Sequence, residues 1–229
     1  MTLFGLGDSL MQENGPSTFP QEGWVQELFP FLAEGTVVRN FAKNGLSTKS
    51  FFDEGFFSRI LPLVHSGDVA LVSFGHNDEK KEDPSRYAPA ETDYAANLLK
   101  IGQSLLKKGC LPIFLSSVSR LHFDEKGSLL RTHGDYPLAM EKVAKKLGVP
   151  FVPLEELTHA RFVKNKVEAI GCFMIFGPEQ YPNYPEGSRD RSHLSVFGAK
   201  ALAEVVVTEL QKNPLLQSFL KKKEATLWR

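Results

Sequence analysis

Cysteine is scarce in this chain, whose 229 residues include only Cys110 and Cys172. The two lie too far apart in sequence to form a CxxC redox pair or a zinc-binding pair. Each falls in or beside an apolar segment, which is typical of a small buried hydrophobic residue. We therefore expect two buried thiols, with a single disulfide as the alternative.

An excess of charge is also missing, because 27 Lys and Arg residues balance 27 Asp and Glu residues. Bulk charge thus gives no reason to expect nucleic acid or an anionic membrane as a partner. No apolar run approaches the length of a membrane span, and no signal-like segment precedes Gly7. We expect a cytoplasmic protein, with a trimmed secreted form as the alternative, and the oligomeric state stays open.

Several motifs of nucleotide-binding proteins and hydrolases are absent. Gly5-Leu6-Gly7 begins like a dinucleotide-binding fingerprint, but Leu10 stands where the third glycine belongs. The chain has no Gly-Lys-Ser/Thr phosphate loop and no Gly-x-Ser-x-Gly nucleophile elbow. We accordingly expect neither a cofactor nor a metal ion.

Short apolar segments alternate with helical ones along the chain. The candidate strands are Leu3–Leu6, Thr36–Phe41, Val69–Phe74, Leu111–Ser116 and Phe151–Val152. The candidate helices run from Tyr94 to Leu105, from Pro137 to Lys146 and from Ser195, a plausible N-cap, to Leu210. Strands that are apolar throughout and alternate with helices predict an α/β fold, with a parallel sheet covered on both faces.

The length fits one domain, residues 1–229, with a core at about 3–210 and a C-terminal tail at 211–229. Two stretches are predicted to be loops. Glu79–Pro89 is charged and has two prolines, whereas Gly177–Arg191 has three prolines together with Tyr181 and Tyr184. Because long loops often lie at binding sites, we expect the second one to have a function.

Three segments that follow predicted strands carry residues suited to acyl transfer. Gly7-Asp8-Ser9-Leu10 follows the first strand, where a glycine turn would expose the Ser9 hydroxyl. Asn77, in Gly75-His76-Asn77-Asp78, could donate its amide to an oxyanion, and Gly45 could offer a backbone N–H. Taken singly, these residues also fit an N-cap, an Asx turn and an ordinary turn.

A fourth segment, Asp190-Arg191-Ser192-His193, precedes the last predicted helix. The three-residue spacing lets Asp190 accept from one ring nitrogen of His193 and leaves the other nitrogen free to act as a base. His76 is the one rival base, because the remaining histidines have no comparable partner nearby in sequence. Together these segments predict a nucleophile, a base, an orienting carboxylate and oxyanion donors.

The same four segments, in this order, resemble the four blocks of the SGNH/GDSL hydrolase family. This resemblance spans Leu3 to about Leu210 and implies a flavodoxin-like, three-layer α/β/α fold with a five-stranded parallel sheet of order 2-1-3-4-5. It also implies the roles: Ser9 as nucleophile, His193 as base and Asp190 as its orienter. The Ser9 and Gly45 N–H groups and the Asn77 amide would form the oxyanion hole.

Within that family, the chain looks most like the rhamnogalacturonan acetylesterases. The similar segments are Gly45–Gly55, Phe74–Lys80, Asp83–Tyr87, Thr132–Pro137 and Tyr181–Gly187. Leu46 departs from the pattern, because arginine is common at that position, and this puts sugar contacts there in doubt. The resemblance implies removal of O-acetyl groups from pectic oligosaccharides. The alternatives are a short-chain lipase or thioesterase, a non-catalytic sugar-binding module and a flavodoxin-like cofactor binder.

Overall fold

A computed structural model describes residues 1–221 of the chain. Five parallel strands form one sheet in the order β2-β1-β3-β4-β5, which confirms the expected topology. The strands are β1 (Thr2–Gly7), β2 (Val37–Asn40), β3 (Val69–Ser73), β4 (Leu111–Leu115) and β5 (Phe151–Val152). Each predicted strand is present, with bounds that differ by no more than one residue.

Strand burial follows position in the sheet. β3 and nearly all of β1 are buried, because each has a neighbouring strand on either side and helices above and below. β2 differs from the expectation of a strand buried on both faces, since it lies at the edge and alternates between exposed and half-buried residues. Val37 is 51% exposed there.

Helices cover both faces of the sheet. One face packs against α1 (Thr48–Asp53), α2 (Phe56–Ile60), α3 (Ala95–Lys107) and α4 (Tyr136–Leu147), and the other against α5 (Leu154–Lys164), α6 (Lys166–Gly171) and α7 (Val196–Leu210). Adjacent strand residues face opposite ways, so Leu3 belongs to the core on the α7 side and Phe4 to the core on the α3 side. No helix within residues 1–221 is long and apolar enough to cross a membrane.

The helix predictions are confirmed with small shifts at their ends. α3 follows a π-helical turn over Ala90–Tyr94, and α7 begins after Ser195, whose hydroxyl accepts from the Gly198 N–H at 3.1 Å as an N-cap does. Four helices were not predicted: the short α1, α2 and α6, and the longer α5. Cys110 and Cys172 are both buried and free, as expected, and no disulfide joins them.

Two further expectations differ from the structure. The end of the predicted loop Gly177–Arg191 is strand, because β7 (Ser188–Leu194) pairs antiparallel with β6 (Phe173–Phe176) in a separate two-stranded sheet. The core also extends past residue 210, since Leu216, Phe219 and Leu220 are buried and Ala33 N–H donates to the Phe219 carbonyl at 2.9 Å. Residues 222–229 of the predicted tail lie outside the described part of the chain.

Candidate active site

Ser9 sits in a tight turn at the carboxyl end of β1. Only glycine fits at Gly7, because a Cβ there would lie 2.5 Å from the Ser73 carbonyl oxygen. The turn then closes on Asp8, whose carboxylate accepts from the Leu10 N–H at 3.1 Å. Ser9 is only 8% exposed, so it is less accessible than the sequence suggests.

His193 and Asp190 reach Ser9 from a bulge in β7. The strand advances from Arg189 to Leu194 while β6 advances only from Ile175 to Phe173, so the residues between Arg189 and Leu194 project out of the ladder. His193 Nε2 lies 3.1 Å from Ser9 Oγ, and His193 Nδ1 lies 2.6 Å from Asp190 Oδ2. The three side chains form a continuous hydrogen-bonded chain.

The Asp190 carboxylate is held in its charged form. Burial alone would raise its pKa, but the His193 ring and the N–H groups of His193 and Ser192 donate to it and lower the pKa to about 2. An ionised carboxylate accepts from Nδ1–H, which leaves the Nε2 lone pair directed at the Ser9 hydroxyl. This arrangement can remove a proton from Ser9.

Gly45 and Asn77 lie on neighbouring loops that are joined to each other. Gly45 has a φ of 79°, a conformation that favours glycine, and it follows β2. The Asn77 amide donates to the Leu46 carbonyl oxygen at 3.0 Å, and Arg86 Nη1 lies 3.5 Å from its oxygen. One amide hydrogen of Asn77 therefore remains for another acceptor. Within residues 1–221, neither the Ser9 nor the Gly45 N–H donates to a protein oxygen.

The Leu46 side chain does not reach the surface. It is 2% exposed and packs in the core with Phe51 and Phe74. The leucine at this position therefore serves packing, and only its backbone carbonyl, which holds Asn77, is part of the candidate site.

His76, the rival base, does not contact Ser9. Its Nδ1 lies 3.6 Å from Asp8 Oδ2, and its Nε2 has no hydrogen-bond partner among the described residues. Burial, together with the nearby His133 ring, lowers the pKa of His76 to about 4. A neutral His76 therefore lies between Asp8 and His133 and is not placed to act as the base for Ser9.

Sequence reasoning missed two polar networks beside these loops. Asp78 Oδ1 accepts from the backbone N–H of Thr48 at 2.8 Å and also from its hydroxyl, which ties the start of α1 to the Asn77 loop. Glu79 binds both Arg120 and His133, so His133 does have a partner, although a distant one in sequence. The one sign of these networks in the sequence is the pair of acidic residues, Asp78 and Glu79, directly after Asn77.

A comparison with known families decides where the chain belongs. The model of the GDSL-like lipase/acylhydrolase family matches residues 6–201, a span that includes Ser9, Gly45, Asn77, Asp190 and His193. The chain belongs to the GDSL-like lipase/acylhydrolase family. The segments that carry the candidate site residues all lie within the matched span.

Among relatives in the GDSL-like family, the rhamnogalacturonan acetylesterase RhgT of Bacillus subtilis is 36% identical over 92% of this chain and 89% of its own length. A probable rhamnogalacturonan acetylesterase, YesY, from the same organism is 32% identical over 96% of this chain and 98% of its own. The crystal structure of YxiM, also from B. subtilis, superposes with a TM-score of 0.78 at 23% identity over 92% of this chain.

This chain spans only 56% of the YxiM structure. A second solved structure is Axe2, an acetylxylan esterase from Geobacillus stearothermophilus. It superposes with a TM-score of 0.63 at 17% identity, over 91% of this chain and 93% of its own. At these identities, both structural likenesses concern the fold alone.

Proposed function

We propose that this chain is a serine esterase that removes O-acetyl groups from carbohydrates, with rhamnogalacturonan-type pectic oligosaccharides as its substrates. The observation that carries the chemistry is the hydrogen-bonded chain from Ser9 through His193 to Asp190. RhgT is named a rhamnogalacturonan acetylesterase and YesY a probable one, which supports an acetyl ester of this polysaccharide as the substrate.

In the proposed reaction, His193 Nε2 takes the Ser9 hydroxyl proton while Ser9 Oγ attacks the acetyl carbonyl carbon. The tetrahedral intermediate collapses as His193 returns that proton to the sugar oxygen. The sugar departs with a free hydroxyl group, and the acetyl group remains on Ser9 as an ester. Water, deprotonated by His193, then attacks this ester. His193 returns the proton to Ser9 Oγ as the bond between Oγ and the acetyl carbon breaks, and acetic acid leaves, which ionises to acetate in water. Asp190 holds the imidazole in the required tautomer and stabilises its cation.

The negative charge of the intermediate would be stabilised by the N–H groups of Ser9 and Gly45 and by the free amide hydrogen of Asn77. Such donors are effective when they are fixed before the reaction begins. The contacts of the Asn77 amide with Leu46 and Arg86 supply that fixation.

The decisive experiment compares Ser9→Ala with the wild type for acetate release from acetylated rhamnogalacturonan oligosaccharides. We expect no turnover, because no acyl-enzyme forms without the hydroxyl. Ser58→Ala, which alters an exposed serine on α2, is the matched control and should retain full activity. Retained turnover in a clean Ser9→Ala preparation would remove Ser9 from the mechanism.

Hydrolysis of synthetic esters of one alcohol, followed by the release of that alcohol, separates the acetylesterase from a short-chain lipase or thioesterase. Acetyl esters should be hydrolysed faster than octanoyl esters, since a small acyl pocket is overpacked by extra methylene groups. An equal or higher kcat/KM for the octanoyl ester would favour the lipase function.

A further inference from the structure

An open cavity of about 580 Å³ lies where the loops after β3 and β4 meet the segment before α4. Its walls come from Glu79–Glu82 after β3, from Tyr87 and Ala90, from Arg120 after β4, and from Thr132–Tyr136 before α4. This volume falls within the range of pockets that hold small ligands, which is roughly 300–1,000 Å³. The proposed chemistry at Ser9 uses none of these residues.

The segment that contains Arg120 contacts the loops on both sides of Ser9. Arg120 Nη2 donates to the His76 carbonyl at 3.3 Å, one residue before Asn77. The next residue, Leu121, donates its N–H to the Arg191 carbonyl at 3.0 Å, inside the β7 bulge that carries His193. The cavity therefore lies at the same carboxyl edge of the sheet as the Asn77 loop and the β7 bulge.

The wall of the cavity contains a largely buried charged network. The Arg120 and Glu79 side chains are paired and are 15% and 13% exposed, and the fully buried His133 ring contacts Glu79 at 3.1 Å. Burying such charges costs free energy that the fold could avoid with apolar residues. The network fixes Arg120 through contacts with Glu79, Thr132 and the His76 carbonyl, so this wall of the cavity is held in one arrangement.

The lining of the cavity as a whole favours hydroxyl groups as ligands. The cationic side chains Lys80, Lys81 and Arg120 are matched in number by the acidic side chains of Glu79, Glu82 and Asp135. The lining thus offers both donors and acceptors without an excess of either charge, as a polyhydroxylated ligand requires. Tyr87, which is half-buried, adds aromatic surface against which the apolar face of a sugar ring can pack.

Three of the segments that resemble rhamnogalacturonan acetylesterases meet here. Phe74–Lys80, Asp83–Tyr87 and Thr132–Pro137 are separated in sequence, and the catalytic set uses only Asn77 among them. We propose that this cavity binds a pyranose unit of the oligosaccharide adjacent to the unit that carries the acetyl ester. This subsite rests on the proposed function and extends it from the acetyl group to the sugar chain.

The test measures the binding of deacetylated oligosaccharides, derived from rhamnogalacturonan and from xylan, by calorimetry. Thr132→Trp would fill the cavity, and Tyr87→Ala would remove an aromatic wall without adding bulk. We expect both variants to weaken the binding of at least one oligosaccharide by ten-fold or more. Thr208→Trp, which places the same bulk on the exposed side of α7, should bind as the wild type does.

Melting temperatures of all three variants verify that they fold. Equal affinity in Thr132→Trp, Tyr87→Ala and the wild type, or no binding of either oligosaccharide to the wild type, would overturn the subsite. If the wild type deacetylates oligosaccharides but the cavity variants bind them normally, the subsite is rejected and the proposed function is unaffected. Conversely, sugar binding through the cavity without any deacetylation would support the subsite and reject the esterase.

Discussion

At the scale of single residues, Asn77 combines a structural contact with a free donor. Its amide nitrogen donates to Leu46, which fixes the loop that carries Gly45, and its second hydrogen is available to the site. The ground-state carbonyl carries little negative charge, whereas the tetrahedral intermediate carries nearly a full one. A donor aimed at that oxygen therefore stabilises the transition state selectively, and such selectivity appears in kcat.

Asn77→Ala should lower kcat for acetyl esters by roughly 10²–10³-fold, the usual effect of removing one oxyanion donor, while KM changes little. The remaining N–H donors of Ser9 and Gly45 should make this loss smaller than that of Ser9→Ala. Asn165→Ala is the control, because it removes an asparagine that only caps α6. It should lower the melting temperature and leave kcat unchanged. If Asn77→Ala behaves in that same way, Asn77 is a structural residue only.

The sequence predicted best those site residues whose partners are close along the chain. The three-residue spacing of Asp190 and His193 gave their pairing directly, and the 2.6 Å contact agrees with it. The contact of His133 with Glu79 spans 54 residues, so no local pattern could predict it. Such contacts depend on where the sheet places separate loops.

At the scale of elements, the sequence predicted the five parallel strands because each is a short apolar run between turn signals. It missed β7 because Ser188–His193 is polar throughout, so the segment lacks the alternation of apolar and polar residues that predicts a strand. What makes this segment a strand is its pairing with β6, which is a long-range property. The same pairing creates the bulge that directs His193 to Ser9.

The carboxyl group that attaches α1 to the Asn77 loop is one that burial favours in its protonated form. Burial raises the pKa of Asp78 to about 8, and nearby Asp8 adds to the effect against the hydrogen bonds from Thr48. An unfolded aspartate ionises near pH 3.9. The folded chain therefore holds a proton that the unfolded chain releases between about pH 4 and 8. This contribution to stability is complete below about pH 4 and is lost as the pH rises through 8.

Asp78→Asn should remove this pH dependence, because an amide keeps the acceptor for Thr48 and does not ionise. We expect its melting temperature to rise relative to the wild type between pH 5 and pH 9, by at least about 2–4 °C, which corresponds to about 1 kcal/mol in a chain of this size. Asp53→Asn, at the exposed end of α1, is the control and should show no such trend. A constant difference between Asp78→Asn and the wild type would mean that Asp78 is already ionised at pH 5.

At the scale of the whole molecule, the parallel sheet explains why the site residues meet. Ser9 follows β1, Gly45 follows β2, Asn77 follows β3 and Arg120 follows β4, so all four lie at the carboxyl edge of the sheet. His193 is the exception, because it arrives from the separate β6–β7 sheet. The order of the strands thus places the proposed nucleophile, the oxyanion donors and the subsite side by side. The proposed base comes from outside this sheet.

The two cysteines report on whether both faces of the sheet unfold as one domain. Cys110 belongs to the core on the α3 side and Cys172 to the core on the α7 side. Burial raises the pKa of the Cys110 thiol to about 12 and that of Cys172 to about 11, so neither presents a reactive thiolate in the native state. Native protein should therefore resist a thiol reagent, and fully unfolded protein should react at two thiols per chain without a reductant.

The variants Cys110→Ala and Cys172→Ala each leave one reporter, on opposite faces of the sheet. If residues 1–229 form one cooperative domain, labelling of either thiol in increasing urea should follow the loss of circular dichroism measured for the same variant. Because each variant serves as its own reference, any destabilisation by the substitution does not affect the comparison. One thiol that becomes reactive at a clearly lower urea concentration than the loss of circular dichroism would instead show that its face of the sheet opens separately.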